Sequence, residues 1–183
     1  MITRLRCHAF WLFLLVGVAL PGVGWSNESV PAGYRSIATA QGIPHTLLYA
    51  MALTESGKQI KPAGGYRPWP WTLNLAGQGY YFDSRLAAWQ ALTGWIGEGK
   101  RSIDIGLMQV NWRYHQERLG TTWQALDPYR NLRVGAAILQ ACYQTRQDWW
   151  SSVGCYHAPA NENRADRYRQ RVVSHWRRIN SAG

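Results

Sequence analysis

The sequence predicts a predominantly helical α+β domain with one small β-hairpin insertion. Apolar residues recur at helical spacing in several segments, and most of these segments open on a Pro, Ser or Asp suited to a helix start. Between them, the stretch from Lys58 to Phe82 carries Gly64, Gly65, Pro68 and Pro70 among aromatics, and a helix would not survive it. With 46% hydrophobic and 16% charged residues, a chain of 183 has the balance of one globular domain with a core. No internal repeat, low-complexity tract or long linker divides it.

In chain order, Arg4 and Arg6 precede an apolar run from Ala9 to Leu20, and the small residues Gly22, Gly24 and Ser26 follow. This is the three-part pattern of a secretory signal peptide, so residues 1–26 are read as a leader cleaved near Ser26 and residues 27–183 as the exported domain. The apolar run is short for a membrane span, although an uncleaved N-terminal anchor is the competing reading. No other segment could cross a bilayer. Pro31 opens a helix through Tyr34, Ile37 and Ala38 that stops at Gly42, and Pro44 suits the first turn of the next, which ends at Ser56 and Gly57.

From Lys58 to Phe82, short aromatic or β-branched runs flank the Gly-rich AGQG turn, as in a hairpin. Trp69, Trp71, Tyr80, Tyr81 and Phe82 form a dense aromatic set there. In an exported protein such rings can pack on the apolar faces of sugars, and Trp71, Asn74 and Tyr81 are taken as substrate-facing candidates. The competing reading is that the rings are the core of a small hairpin. Ser84 caps a helix running through Leu86, Ala87, Trp89, Leu92 and Trp95 to the Gly97–Gly99 region. Asp127 and Pro128 open another through Leu132, Ala136, Leu139 and Cys142, followed by a helix around Trp149–Tyr156 and a basic one from Glu162 to Ile179.

The formal net charge is +10, and +8 once the two leader arginines are gone. Such a field attracts polyanions, either nucleic acid or a carboxylate-rich cell wall, and export favours the wall. The basic residues come with no nucleic-acid-binding motif. Arg164, Arg167, Arg169, Arg171, Arg177 and Arg178 read equally well as the solvated face of the last helix. Cys7 falls in the leader, which leaves Cys142 and Cys155 as an even pair in an oxidising compartment and reads as one disulfide. Neither the cysteines nor the five histidines cluster at metal-ligand spacing, so no metal or cofactor is expected.

The stretch LLYAMALTESG, residues 47–57, carries the chemistry. Glu55 lies four residues after Met51 and eight after Leu47, on the apolar stripe of its helix and in its last turn. A carboxyl placed there loses water, which favours its protonated form and raises its pKa, as a general acid near neutral pH requires. A buried structural Glu paired with an arginine is the alternative.

ALTES at 52–56, GLMQVN at 106–111, GAAIL at 135–139 and YHAP at 156–159 occur in the order seen in the soluble lytic transglycosylase (SLT) domain family. The resemblance covers roughly Pro31 to Trp176. DIGLMQVNW and the single short domain look most like the small specialised transglycosylases of conjugation and secretion machines. The resemblance implies a lysozyme-like fold with Glu55 as catalytic acid and base. It implies that Ser56 positions the carboxylate or the substrate, that Met108 and Gln109 line the cleft with Asn111 in the same segment, and that the Tyr156 hydroxyl contacts the Glu. Gly106 there lets backbone come close. His157 and Pro159 depart from the Asn and Gly common in the family's Y-N-A-G motif.

The implied reaction cleaves the bond between N-acetylmuramic acid and N-acetylglucosamine in peptidoglycan without water, leaving a 1,6-anhydro ring. The implied partners are glycan strands in the periplasm and a conjugation or secretion apparatus, with no nucleic acid and no stable membrane insertion. A muramidase would instead use a second carboxylate, Asp104 or Asp83. Asp104 precedes the GLMQ segment and is read first as a loop Asp bonded to nearby backbone. A wall-binding assembly factor with incidental activity is the reading from a different class.

Overall fold

The computed structural model describes residues 30–62 and 64–181, so the leader expected at residues 1–26 lies outside the described residues. The chain folds as predicted into a predominantly helical domain with small β insertions. Helix α1 (Ala32–Ala40) begins behind Pro31, and α2 (His45–Ser56) begins behind Pro44. Seven successive residues of α2, from Leu47 to Leu53, are buried. The expected single apolar face is therefore an all-round one, because α1, α8 (Glu162–Ser181) and the first β-hairpin pack on different sides of this helix.

The insertion holds more strand than the one expected hairpin. β1 (Gly57–Ile60) pairs antiparallel with β2 (Gly65–Pro68). A second sheet has the order β4-β3-β5-β6, from β3 (Thr72–Leu75), β4 (Gln78–Tyr81), β5 (Ile103–Ile105) and β6 (Val110–Asn111). Between β3 and β4, Ala76 and Gly77 both have positive φ, 54° and 86°, the pairing that a two-residue hairpin turn needs. Leu73, Ile103, Ile105 and Val110 are buried beneath this sheet. On the alternate face Asn74 sits opposite Asp104, and Asp104 opposite Asn111. Asp104 is thus a strand residue and not a loop one.

Ser84 caps α3 (Arg85–Gly97) by accepting from the Ala87 amide at 3.1 Å. Two short helices then follow that the apolar periodicity did not reveal, α4 (Trp112–Leu119) and α5 (Thr122–Ala125). Only Trp112 and Leu119 of α4 are buried, so it has almost no stripe to read. Thr121 and Gln124 form a reciprocal capping box at the start of α5. Helix α6 (Pro128–Arg146) is capped by Asp127, and α7 (Trp149–His157) by Asp148. A disulfide between Cys142 on α6 and Cys155 on α7, with Cα atoms 6.0 Å apart, ties these neighbours together. Among the described residues no helix is long and apolar enough to cross a membrane.

Candidate active site

Glu55 sits in the last turn of α2, where that helix hands over to β1. It is half-buried by surface area, yet protein atoms surround its carboxyl group. Burial is the main cause that pushes its pKa up to about 8, and the negative charge of Asp104 adds to this. The Tyr168 hydroxyl and the positive charge of Arg171 pull the other way. A carboxyl so placed holds its proton at neutral pH and can give it to an ether oxygen.

Tyr168, on α8, is fully buried and its hydroxyl faces Glu55. The contact is loose, because among the described residues this oxygen makes no hydrogen bond of ordinary geometry. The imidazole of His157 stacks flat on the Tyr168 ring at 4.4 Å between centroids, and the Arg171 guanidinium also lies over it at 5.6 Å. The sequence reading missed Tyr168, although Ala165, Tyr168, Val172 and Ile179 mark a buried seam at helical spacing.

The predicted tyrosine occupies a different position. Tyr156 donates its hydroxyl hydrogen to the Met108 carbonyl at 2.7 Å, not to Glu55. It is near enough that the charges of Glu55 and Asp104 add to burial in holding its pKa well above the usual phenol value. Met108 has no exposed surface, so its side chain does not line the cleft. It packs instead against Gly135, where a Cβ would lie 2.5 Å from the Met108 Cβ. Its contribution is its backbone.

That backbone belongs to a turn pinned from several sides. Gly106 has φ +77°, and a Cβ there would lie 2.6 Å from the Asn131 side chain, so only glycine fits. Asn131, buried on α6 and also missed from sequence, accepts from the Met108 amide at 2.9 Å and donates to the Ile105 carbonyl at 2.8 Å. Gln109, itself at φ +45°, donates to the carbonyls of Gly106 and Thr72 at 2.9 and 3.2 Å. Ser56, wholly buried, donates to the Leu107 carbonyl at 2.8 Å. The residue beside Glu55 therefore ties α2 to this turn and offers no surface to a ligand.

Asp104 is half-buried, and burial raises its pKa while a 2.7 Å hydrogen bond from the Asn111 side chain lowers it. Asn111 also caps α4 by accepting from the Arg113 amide. A shallow pocket of about 370 Å³ borders Asp104 and Asn74, with Lys100 and Arg101 on its rim. Asn74 supports the hairpin turn by accepting from the Gly77 amide at 3.0 Å. Trp71 packs edge-on to Trp69, and its buried indole N–H has no protein partner among the described residues. Tyr81 is 45% exposed, with its hydroxyl 3.4 Å from the Gly57 carbonyl. Asp83 is exposed and faces Lys58 at 3.8 Å, outside the Glu55 cluster. Among the described residues, no group of three His, Cys, Asp or Glu could hold a metal ion.

A family model described as the transglycosylase SLT domain matches residues 34–177, a span that takes in Glu55, the pinned turn, Tyr156 and Tyr168. The chain belongs to the SLT transglycosylase family. Within it, the chain is similar to the type IV secretion system protein virB1 of Brucella abortus biovar 1 (strain 9-941), and of Brucella melitensis biotype 1 and Brucella suis biovar 1. Each is 36% identical over 73 residues, which is 38% of this chain and 28% of the relative. The matched stretch thus spans little more than a quarter of these curated relatives. No solved structure matches. The negative charge of Asp104, on a strand, thus acts in this SLT domain on Glu55, at a helix end.

Proposed function

We propose that the chain is a peptidoglycan lytic transglycosylase that opens the wall locally for a secretion or conjugation apparatus. The supporting observation is Glu55, a carboxyl raised to about 8 at the junction of α2, β5, α7 and α8 in an SLT-family chain. Glu55 donates its proton to the glycosidic oxygen between N-acetylmuramic acid and N-acetylglucosamine, and that bond breaks. The muramic N-acetyl oxygen supports the positive charge developing at C1. Ionised Glu55 then takes the proton from the C6 hydroxyl of the same muramic acid as its oxygen bonds to C1. The acid is regenerated, no water is consumed and a 1,6-anhydro end is left.

In this reading the half-buried ring of Trp71 and the exposed ring of Tyr81 contact the sugars. Met108, Gln109 and Ser56 act through the shape of the turn they build, and Asn74 and Asn111 fix the sheet face that bears Asp104. The apparatus is suggested by the virB1 relatives, and the periplasm as site of action by the leader at residues 1–26. A second reading, hydrolysis with Asp104 holding a nucleophilic water, is favoured by the charge coupling of Asp104 to Glu55. Mass spectrometry of purified sacculi after digestion separates the two. Transglycosylase products are lighter than reducing-end products by one water, and products ending only in reducing muramic acid would sink the first reading. A third, an assembly factor with incidental activity, predicts that a cleavage-dead chain still supports transfer in cells.

A further inference from the structure

We infer that Arg164, Arg167, Arg171 and Arg178 form a track along the cleft side of α8 that takes the carboxylates of the peptide stems carried by the glycan strand. The inference rests on the proposed wall substrate and specifies which strands the protein prefers. At 100° per residue, these four residues fall within an arc of roughly 60° on α8. Next to that arc, on its way to the buried seam, come His175 and Tyr168. His175 stacks on Tyr66 of β2 at 5.6 Å and Tyr168 faces Glu55, so this flank of α8 borders the cleft. The opposite flank carries Arg169 and Trp176, which meet Trp150 of α7.

Other observations place the arginines the same way. The charge of Arg171 acts on Glu55, that of Arg178 on Tyr66, and those of Arg171 and Arg164 on His157. All four are exposed. Arg169, on the far flank, is paired with Glu162 and Asp166. Among the described residues, Arg164, Arg167, Arg171 and Arg178 form no ion pair. The track therefore presents four guanidinium groups without an anionic partner over about 21 Å of helix, with Arg178 also hydrogen-bonded to His175.

A neutral glycan gives such a row nothing to bind. The proposed strand is anionic through its stems, whose free carboxylates repeat along the chain and match the planar, two-donor face of arginine. Phosphate polyanions such as duplex DNA or an anionic membrane would satisfy the charge as well. A row that borders the Glu55 cleft fits groups hanging from the sugar chain in that cleft.

The test uses the Glu55→Gln protein, which leaves its ligand intact. Isothermal titration compares solubilised glycan strands that keep their stems with strands stripped by an amidase, whose freed lactyl carboxylates are then capped as methylamides so that the control is neutral. The stem-bearing strands should bind about ten-fold tighter, and the ratio should fall toward one as salt rises. Adding Arg164→Gln, Arg167→Gln and Arg178→Gln should bring the ratio near one at low salt, with the circular dichroism melt unchanged. Arg171 is left in place because its charge acts on Glu55. Equal binding to both strands, a ratio that survives the triple substitution, or tighter binding to duplex DNA or phosphatidylglycerol vesicles than to stem-bearing strands overturns the inference. Product masses judge the lytic reading separately. Anhydro ends with a binding ratio of one would overturn only the track, and reducing ends with a ratio of ten only the lytic reading.

Discussion

On one bank of the cleft, α2, α7 and α8 hold Glu55, Ser56, Tyr156 and Tyr168 with little freedom. Ser56 and Tyr168 are fully buried, and Ser56 and Tyr156 are each committed to a backbone carbonyl of the pinned turn. The other bank, β1 to β4, is built from four-residue strands and ends in the exposed rings of Tyr80 and Tyr81. Its outer edge is held by surface contacts, such as the 3.8 Å approach of Lys58 to Asp83 and the packing of Lys58 over Trp69, while the buried Thr72 ties its root to the pinned turn by accepting from the Gly106 amide at 2.8 Å. The difference separates two tasks. An acid must be kept dry and fixed, whereas a wall that grips a polymer works through exposed area.

Glu55→Gln breaks the helical bank at its centre and should have the largest effect. An amide cannot donate the proton, so cleavage of sacculi should fall by about 10²–10⁴-fold. Wild-type activity that needs protonated Glu55 should decline as pH rises through about 8. The same substitution should stabilise the fold in alkali, and the sign follows from linkage. The folded pKa of Glu55 is raised from 4.5 to about 8, so its favourable contribution is complete below 4.5 and is lost as pH climbs to about 8. Gln escapes that loss. The variant should melt above wild type at pH 8, by on the order of 5 °C, with the gap closing toward pH 4.5. A variant that melts below wild type at pH 8 would contradict the burial argument.

Asn131→Ala sharpens the comparison from beneath. It leaves the Met108 amide without its partner in a buried site, at a cost of about 1–3 kcal/mol, and removes a further hydrogen bond to the Ile105 carbonyl. Chemical denaturation should show a loss of about 2–4 kcal/mol with an unchanged m-value. Catalysis should fall further than stability explains, because the turn that receives Ser56 and Tyr156 is released. If activity per folded molecule stayed at the wild-type level, the turn would not be what positions the site.

Asn131 also shows where sequence reasoning stopped. Glu55 was legible because a charged residue on an apolar stripe is conspicuous, and the capped helices were legible from Ser84 and Asp127. Asn131 obeys the same rule, since it shares a stripe with Val134, Gly135 and Cys142, but its amide carries no charge to draw attention. Tyr168 was hidden by the arginines around it, which made α8 read as a solvated face. The role given to Tyr156 came from resemblance, and no spacing rule could say which carbonyl its hydroxyl would find. β5 and β6 are three and two residues long, too short for alternation to register.

Tyr81→Ala tests the open bank and should have the smallest effect of the three. The ring is 45% exposed and its polar contact is a long one of 3.4 Å, so the fold should lose no more than about 1 kcal/mol. If the ring packs on a sugar face, the loss falls on binding alone, about 0.5–1.5 kcal/mol for one aromatic contact, or roughly two- to ten-fold in KM. The kcat should hold, because Tyr81 reaches neither Glu55 nor the pinned turn. Initial rates on soluble glycan strands separate the two parameters. A fall in kcat at unchanged KM would mean that the β bank helps to set the geometry of the acid, and the division between a fixed bank and a gripping one would fail.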